Sequence, residues 1–371
     1  MKGMVEHRVS ISNKEGAAES VASGKWLRST TPPRRGWQTM HWSGVAKNYA
    51  GAVEGISSHM LTWGVTRGER VMQTRAYTFR RPQALEVARR VAQAQTPYEA
   101  IEGIKSALRD LPKAGPGHTW RMWGERLLQY LEGSSDKPTF EIIRAEGNAK
   151  LPFFCFSVVP IFMCPGVGEC AEYCYSLTGW RHAGAFWRQI QNTFLIKFYP
   201  DKVADAFLDL PRSADFRLYV DGDFHNVWAV NFWFKLFRLR PDVEAYGYSK
   251  SWDELLAYEG PDPTNYLLNI SNGGKVRNVT LDEVRKLSYV RGNFIAVDIP
   301  KGVVKGRSME EKFASKEYHD AVRQAGGDLG LRKTFSCRGF CGSCVKDTDG
   351  ANSHACGDKR FIDINILIGK H

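Results

Sequence analysis

No uninterrupted apolar run in this 371-residue chain reaches the roughly 20 positions that a membrane-crossing helix needs. The opening residues, MKGMVEHRVSISNKEG, lack the apolar centre of a secretory signal. These two absences give the expectation of a cytoplasmic protein with no membrane partner. No heptad or self-complementary face stands out, so oligomeric state does not follow from the sequence. Apolar periodicity is missing from residues 1–60, which are rich in Gly, Ser, Ala and Thr. Acidic residues are in deficit, 40 Asp and Glu against 51 Lys and Arg, for a net charge of +11.

The deficit is local. Residues 1–145 hold 22 Lys and Arg against 13 Asp and Glu, a net of +9, and the remainder is nearly balanced at 29 against 27. A positive field of this kind suits nucleic acid or another polyanion as partner of the N-terminal part, and serves equally as a solubilising surface. Between Lys25 and Trp37 the cations alternate with aromatics, a mixture that can hold a phosphate backbone and stack bases. The same residues also suit an extended arm packed on its own domain.

Cysteine is not scarce. Eight would suggest disulfides in a small secreted domain, but seven of these eight fall into two groups in a chain without an export signal. Metal ligation is the better reading. The first group, Cys164, Cys170 and Cys174, has the spacing C-x5-C-x3-C on a loop broken by Pro165, Gly166 and Gly168. The second, Cys337, Cys341 and Cys344, has C-x3-C-x2-C, with His354 and Cys356 downstream. Small residues let a backbone wrap and present several thiolates to one iron–sulfur core. Three protein ligands leave one iron open to a small molecule, whereas four close the site. The first trio is therefore the candidate open cluster, with His182 the one local alternative fourth ligand. Cys337, Cys341, Cys344 and Cys356 form the candidate closed site, where zinc competes with iron–sulfur because tetrahedral zinc uses the same ligands. Cys155 sits within a strand and reads as a small apolar packing group.

The elements order the rest. Residues 61–137 read as a helical module after the 1–60 arm, with apolar faces from Pro82 to Ala94, from Pro97 onward and from Thr119 to Leu131. From residue 138 to 371, strands alternate with helices: FFCFSVV, Phe216 to Val220, Val243 to Ser249, Tyr266 to Ile270, Asn293 to Ile299, Leu331 to Phe335 and Phe361 to Ile368. Such alternation predicts an α/β fold of mostly parallel strands, a partial or complete β/α barrel, with a doubly wound open sheet as the competing arrangement. In either, loops after the strands collect at one rim. Cys164 to Cys174, Asp221 to Phe224, Ser249-Lys250, Ser271, Asp298 and Cys337 to Cys344 should then face one another. Asp221 and Asp223 read equally well as turn and helix-cap residues.

From about Gly147 to the end, the chain resembles a phage and plasmid protein family named after a mycobacteriophage gene product numbered eighty-eight. The residues that carry this are GNAKLP, CPGVGECAEYCYSLTGWR, VDGDF, YGYSKS and CGSC. The resemblance implies a phage or mobile-element origin and brings no activity with it. A remoter resemblance is to the radical S-adenosylmethionine superfamily. There a three-cysteine loop follows the first strand of a partial barrel, with an aromatic before the last cysteine, as Tyr173 stands here. That likeness implies one or two 4Fe–4S clusters and S-adenosylmethionine. Asp221-Gly222-Asp223 would meet the methionine amine, and Asn269 and Ser271 the ribose and carboxylate. The implied activity is generation of a 5′-deoxyadenosyl radical, with an electron donor as partner and an unknown substrate. The usual spacing, C-x3-C-x2-C, belongs here to the second trio, so the first loop is a variant or the two groups exchange roles. Two other functions are expected alongside it: a metal-stabilised nucleic-acid-binding protein without catalysis, and a redox or sensing iron–sulfur protein.

Overall fold

The computed structural model of the protein describes residues 9–11, 40–42, 81–111, 113, 118–145, 153–275, 279–304, 308–339, 341, 345–346, 352–353 and 355–370. Most of the expected 1–60 arm, and with it the basic aromatic stretch, lies outside the described residues. So do Cys344 and His354. The chain divides into two compact units, Met1–Leu85 with Lys105–Arg126, and Glu86–Ile104 with Leu127–His371. In the first, Val9–Ile11 pairs antiparallel with Met40–Trp42, and Arg121 donates to the carbonyls of Leu108 and Leu111 at 2.9 Å each. The three helices expected from the apolar faces are α1 (Arg81–Gln93), α2 (Pro97–Arg109) and α3 (His118–Leu131).

The second unit is built on a parallel sheet. Its strands are β1 (Phe154–Cys155), β2 (Asp215–Leu218), β3 (Glu244–Ser249), β4 (Tyr266–Ser271), β5 (Val290–Val297), β6 (Thr334–Ser336) and β7 (Asn365–Gly369). Their order is β1-β2-β3-β4-β5-β7-β6, and every pairing is parallel. Among the described residues the edges β1 and β6 do not pair, so the sheet stays open and is not a complete barrel. Nor does the order start in the middle and reverse, as a doubly wound sheet requires. It advances one place at a time from β1 to β5, steps past a gap to β6, and returns β7 into that gap.

Helices α4 (Ala183–Phe198), α5 (Pro200–Leu208), α6 (Val227–Leu239), α7 (Trp252–Leu256), α8 (Leu281–Arg285), α9 (Met309–Ala314) and α10 (Lys316–Asp328) fill the connections. Right-handed crossovers between strands that keep advancing in one direction put their helices on one face, and the side chains sort accordingly. Phe216 of β2 and Tyr266 of β4, in register through Ala245, meet Trp233 and Phe237 of α6. Leu367 and Val297 meet Val322 of α10, and Ile270 meets Trp252 and Val284. The opposite face carries Tyr246, Leu267 and Ile366, covered by Ala355 and Cys356. The C-terminal residues therefore supply the lining that helices supply on the other side.

A rim of loops and two cysteine groups

Local conformation brings the strand exits together. Tyr219 adopts φ +52° and Gly222 φ +83°, so β2 ends at Leu218 and turns through Asp221-Gly222-Asp223. A Cβ at Gly222 would stand 2.2 Å from Val158 Cγ2, so only glycine fits the approach to the β1 exit. Asp223, 4% exposed, accepts hydrogen bonds from the Ser249 hydroxyl at 2.7 Å and from the backbone N–H of Lys250 and Phe224 at 2.8 Å each. Burial pushes its carboxyl up from the ordinary range against the pull of these donors. Lys250 Nζ donates to the Ser271 hydroxyl at 2.9 Å, which ties the exits of β3 and β4.

The first cysteine loop lies across these exits. Val167 bridges Gly274, Cys170 N–H donates to the Gly273 carbonyl at 3.0 Å, and Lys275 N–H to the Gly166 carbonyl at 2.9 Å. A Cβ at Gly166 would come within 1.8 Å of the Lys250 carbonyl oxygen. The loop after β1 is thus fastened to the loop after β4 and seated on the loop after β3. Cys164 is pushed well up, chiefly by burial and then by Asp223. Burial also raises Cys174, which in turn adds a small upward push on Cys164. Tyr173 is raised to about 12, chiefly by burial and then by Cys170. Its ring lies 4.8 Å from Lys370 Nζ, which pairs with Asp298 at 2.9 Å.

Asn269 is placed differently from the rim residues. It is fully buried on the face opposite the helices, where its amide nitrogen donates to the carbonyls of Gly247 at 3.0 Å and Cys356 at 2.8 Å, and its oxygen accepts from Arg291 at 2.6 Å. It anchors the turn carrying Cys356. Of the second group, Cys356 is buried in a cluster against which Cys337 and Cys341 pack. Asp221 accepts from Gln189 Nε2 at 2.8 Å and is raised by burial.

Every described cysteine is a free thiol. Among the described residues, no three His, Cys, Asp or Glu side chains are gathered as one metal ion requires. An iron–sulfur core would hold its thiolates further apart than a single ion does, because they bind several irons. Two features escaped the sequence reading. One is the interlock of Gly166 and Gly168 with the loops after β3 and β4. The other is Arg217, whose signal was a cation between Phe216 and Leu218 in a strand with neighbours on both sides. No helix among the described residues is long and apolar enough to cross a membrane.

A family model described as Gene product 88 matches residues 130–346. No curated protein and no solved structure matches the chain, so the comparisons lend no support to the radical S-adenosylmethionine likeness. They do carry the first resemblance, and over more than half of the sequence: the chain belongs to the gene product 88 family.

Proposed function

We propose that the chain is an iron–sulfur enzyme of the radical S-adenosylmethionine type, built on a partial β/α barrel. One observation carries the reading: the three-thiol loop after β1 is fastened over the exits of β3 and β4, where Asp223 and Lys250 act on the Cys164 thiol. Cys164, Cys170 and Cys174 would hold the cluster. Asp221 and Asp223 would face a methionine amine. Ser271, with Lys250 on its hydroxyl, would face the carboxylate. Asn269 would act from behind by fixing the second cysteine group, which takes either a second cluster or zinc. When bound, the cluster would supply one electron to the sulfonium of S-adenosylmethionine, whose carbon–sulfur bond would break to leave methionine and a carbon radical able to take hydrogen from a substrate. An external donor must provide that electron.

The residues of the chain orient and exclude water. The buried Asp223 cannot drift, because three donors fix its carboxylate, and Gly222 keeps the turn pressed on Val158. The test is incubation of anaerobically reconstituted, dithionite-reduced protein with S-adenosylmethionine. Release of 5′-deoxyadenosine, lost in Cys164→Ala and strongly reduced in Asp223→Asn, is expected. Reconstituted protein that carries a cluster yet releases none would leave a redox or sensing iron–sulfur protein in its place.

A further inference from the structure

Two arginines flank Cys155 near the β1 edge of the sheet, and a third acts on its thiol. Arg217 of β2 lies in register with Cys155 of β1, Arg144 exchanges two backbone hydrogen bonds with Cys155 at 3.0 Å each, and Arg188 is carried by α4. All three act on the buried Cys155 thiol, and Arg144 and Arg188 act on each other. Among the described residues none of the three forms an ion pair. Asp221 and Glu141 act on Arg188, and Asp221 already accepts from Gln189.

Arg217 is the centre of the group. Its guanidinium lies 4.7 Å over the Tyr248 ring and one terminal nitrogen donates to the Tyr175 hydroxyl at 3.4 Å, but its Nε is buried with no acceptor. A buried N–H left without a partner is uncommon in folded proteins. Arg291 shows the contrast. It lies on the same face and is fully buried, yet it donates to Asn269, Phe361, Ile364 and Asn293 at 2.6–3.0 Å. The fold gives every side-chain nitrogen of one arginine an acceptor and leaves the Nε of the other without one.

We propose that Arg217, with Arg188 and Arg144, binds the phosphoryl group of a small phosphorylated ligand. A planar fork of donors matches two oxygens of a phosphate, and further guanidinium groups offer donors to the third oxygen that a carboxylate lacks. The neighbouring Tyr175 and Tyr248 rings give the organic part of the ligand an aromatic wall. Tyr175 follows Cys174 directly, and Cys341 of the second group also acts on Arg217, so the site stands between the two cysteine groups. It does not rest on the proposed cluster, because the arginines and their surroundings need no metal.

Calorimetric titration of the full-length protein with inorganic phosphate and, separately, with phenyl phosphate tests this at low ionic strength. Both probes should bind the wild type, phenyl phosphate more tightly because of the aromatic wall. Arg217→Gln should weaken binding about tenfold or more, and Arg217→Lys, which keeps the charge but loses the fork, several-fold. Arg323→Gln, on the exposed side of α10, should change nothing. Should Arg217→Gln fail to fold, Arg217→Lys and Arg188→Gln carry the comparison. Phosphate binding that is absent, or equal in wild type and both remaining variants, overturns the proposal.

Discussion

At the scale of single residues, the site depends on positions with no chemistry of their own. Gly222 holds a positive φ and faces Val158 across a gap that no Cβ fits. Gly222→Ala should therefore destabilise the protein by about 1–3 kcal/mol through backbone strain alone, with further loss from the clash. Chemical denaturation beside Gly302→Ala, where nothing crowds the added methyl, would measure it. His225 offers a different readout. Burial, and then Lys197, depress its imidazole from 6.5 to about 4, and its Nδ1 is buried without a partner. The unfolded chain thus takes up a proton at higher pH than the folded one. Stability is fully present above about pH 6.5 and falls as pH drops toward 4, by on the order of 3 kcal/mol from this group. His225→Asn, which cannot titrate, should flatten that part of the stability profile, and an unchanged slope would show the group to be solvated. Asn269 shows where residue-level inference stops. Its place near the end of a strand suggested ligand contact, but only the pairing and the C-terminal return reveal that all its hydrogen-bonding capacity goes to Gly247, Cys356 and Arg291.

At the scale of elements, the apolar pattern was legible almost throughout, because buried parallel strands and one-sided helices each leave a clear periodicity. The ends were less so. FFCFSVV pairs as a ladder only at Phe154–Cys155, since the partner backbone turns over at Tyr219. Beyond it the contact continues irregularly, Val220 N–H to the Phe156 carbonyl and Val158 N–H to the Asp221 carbonyl at 3.0 Å each. No propensity announces a positive φ at a tyrosine. Helix α6 shows why the arrangement is stable. Asn226 caps it by accepting from Ala229 N–H at 2.9 Å. The fully buried Trp233 then packs within 5.0–5.8 Å, ring to ring, of Phe156, Phe207 and Phe216, and its indole N–H donates to Tyr219 at 3.0 Å. Trp233→Ala should cost about 3–5 kcal/mol, from the cavity and the stranded Tyr219 hydroxyl, and Trp233→Phe clearly less. Thermal unfolding of the two variants would separate these contributions. The cysteine loop should respond to Gly166→Ala, which drives a methyl into the Lys250 carbonyl. Metal uptake should fall, while global stability falls less than in Trp233→Ala.

At the scale of the whole molecule, strand count and parallel direction followed from alternation, but strand order did not. The insertion of β7 between β5 and β6 is a long-range pairing decided by which apolar faces meet, and no local signal encodes it. That insertion carries the C-terminal residues onto the face without helices, placing Cys337, Cys341 and Cys356 in one apolar cluster beside Tyr246. Arg217, between Tyr175 after the first cysteine group and Cys341 of the second, is where the two approach. The measurement that bears most directly on this account is iron and acid-labile sulfide content of anaerobically prepared full-length protein, with the two cysteine groups replaced separately. A brown protein is predicted, with iron and sulfide in equal amounts, which loses one cluster's worth on joint replacement of Cys164, Cys170 and Cys174 by alanine. A colourless protein carrying only zinc, or an iron content indifferent to that replacement, would contradict it.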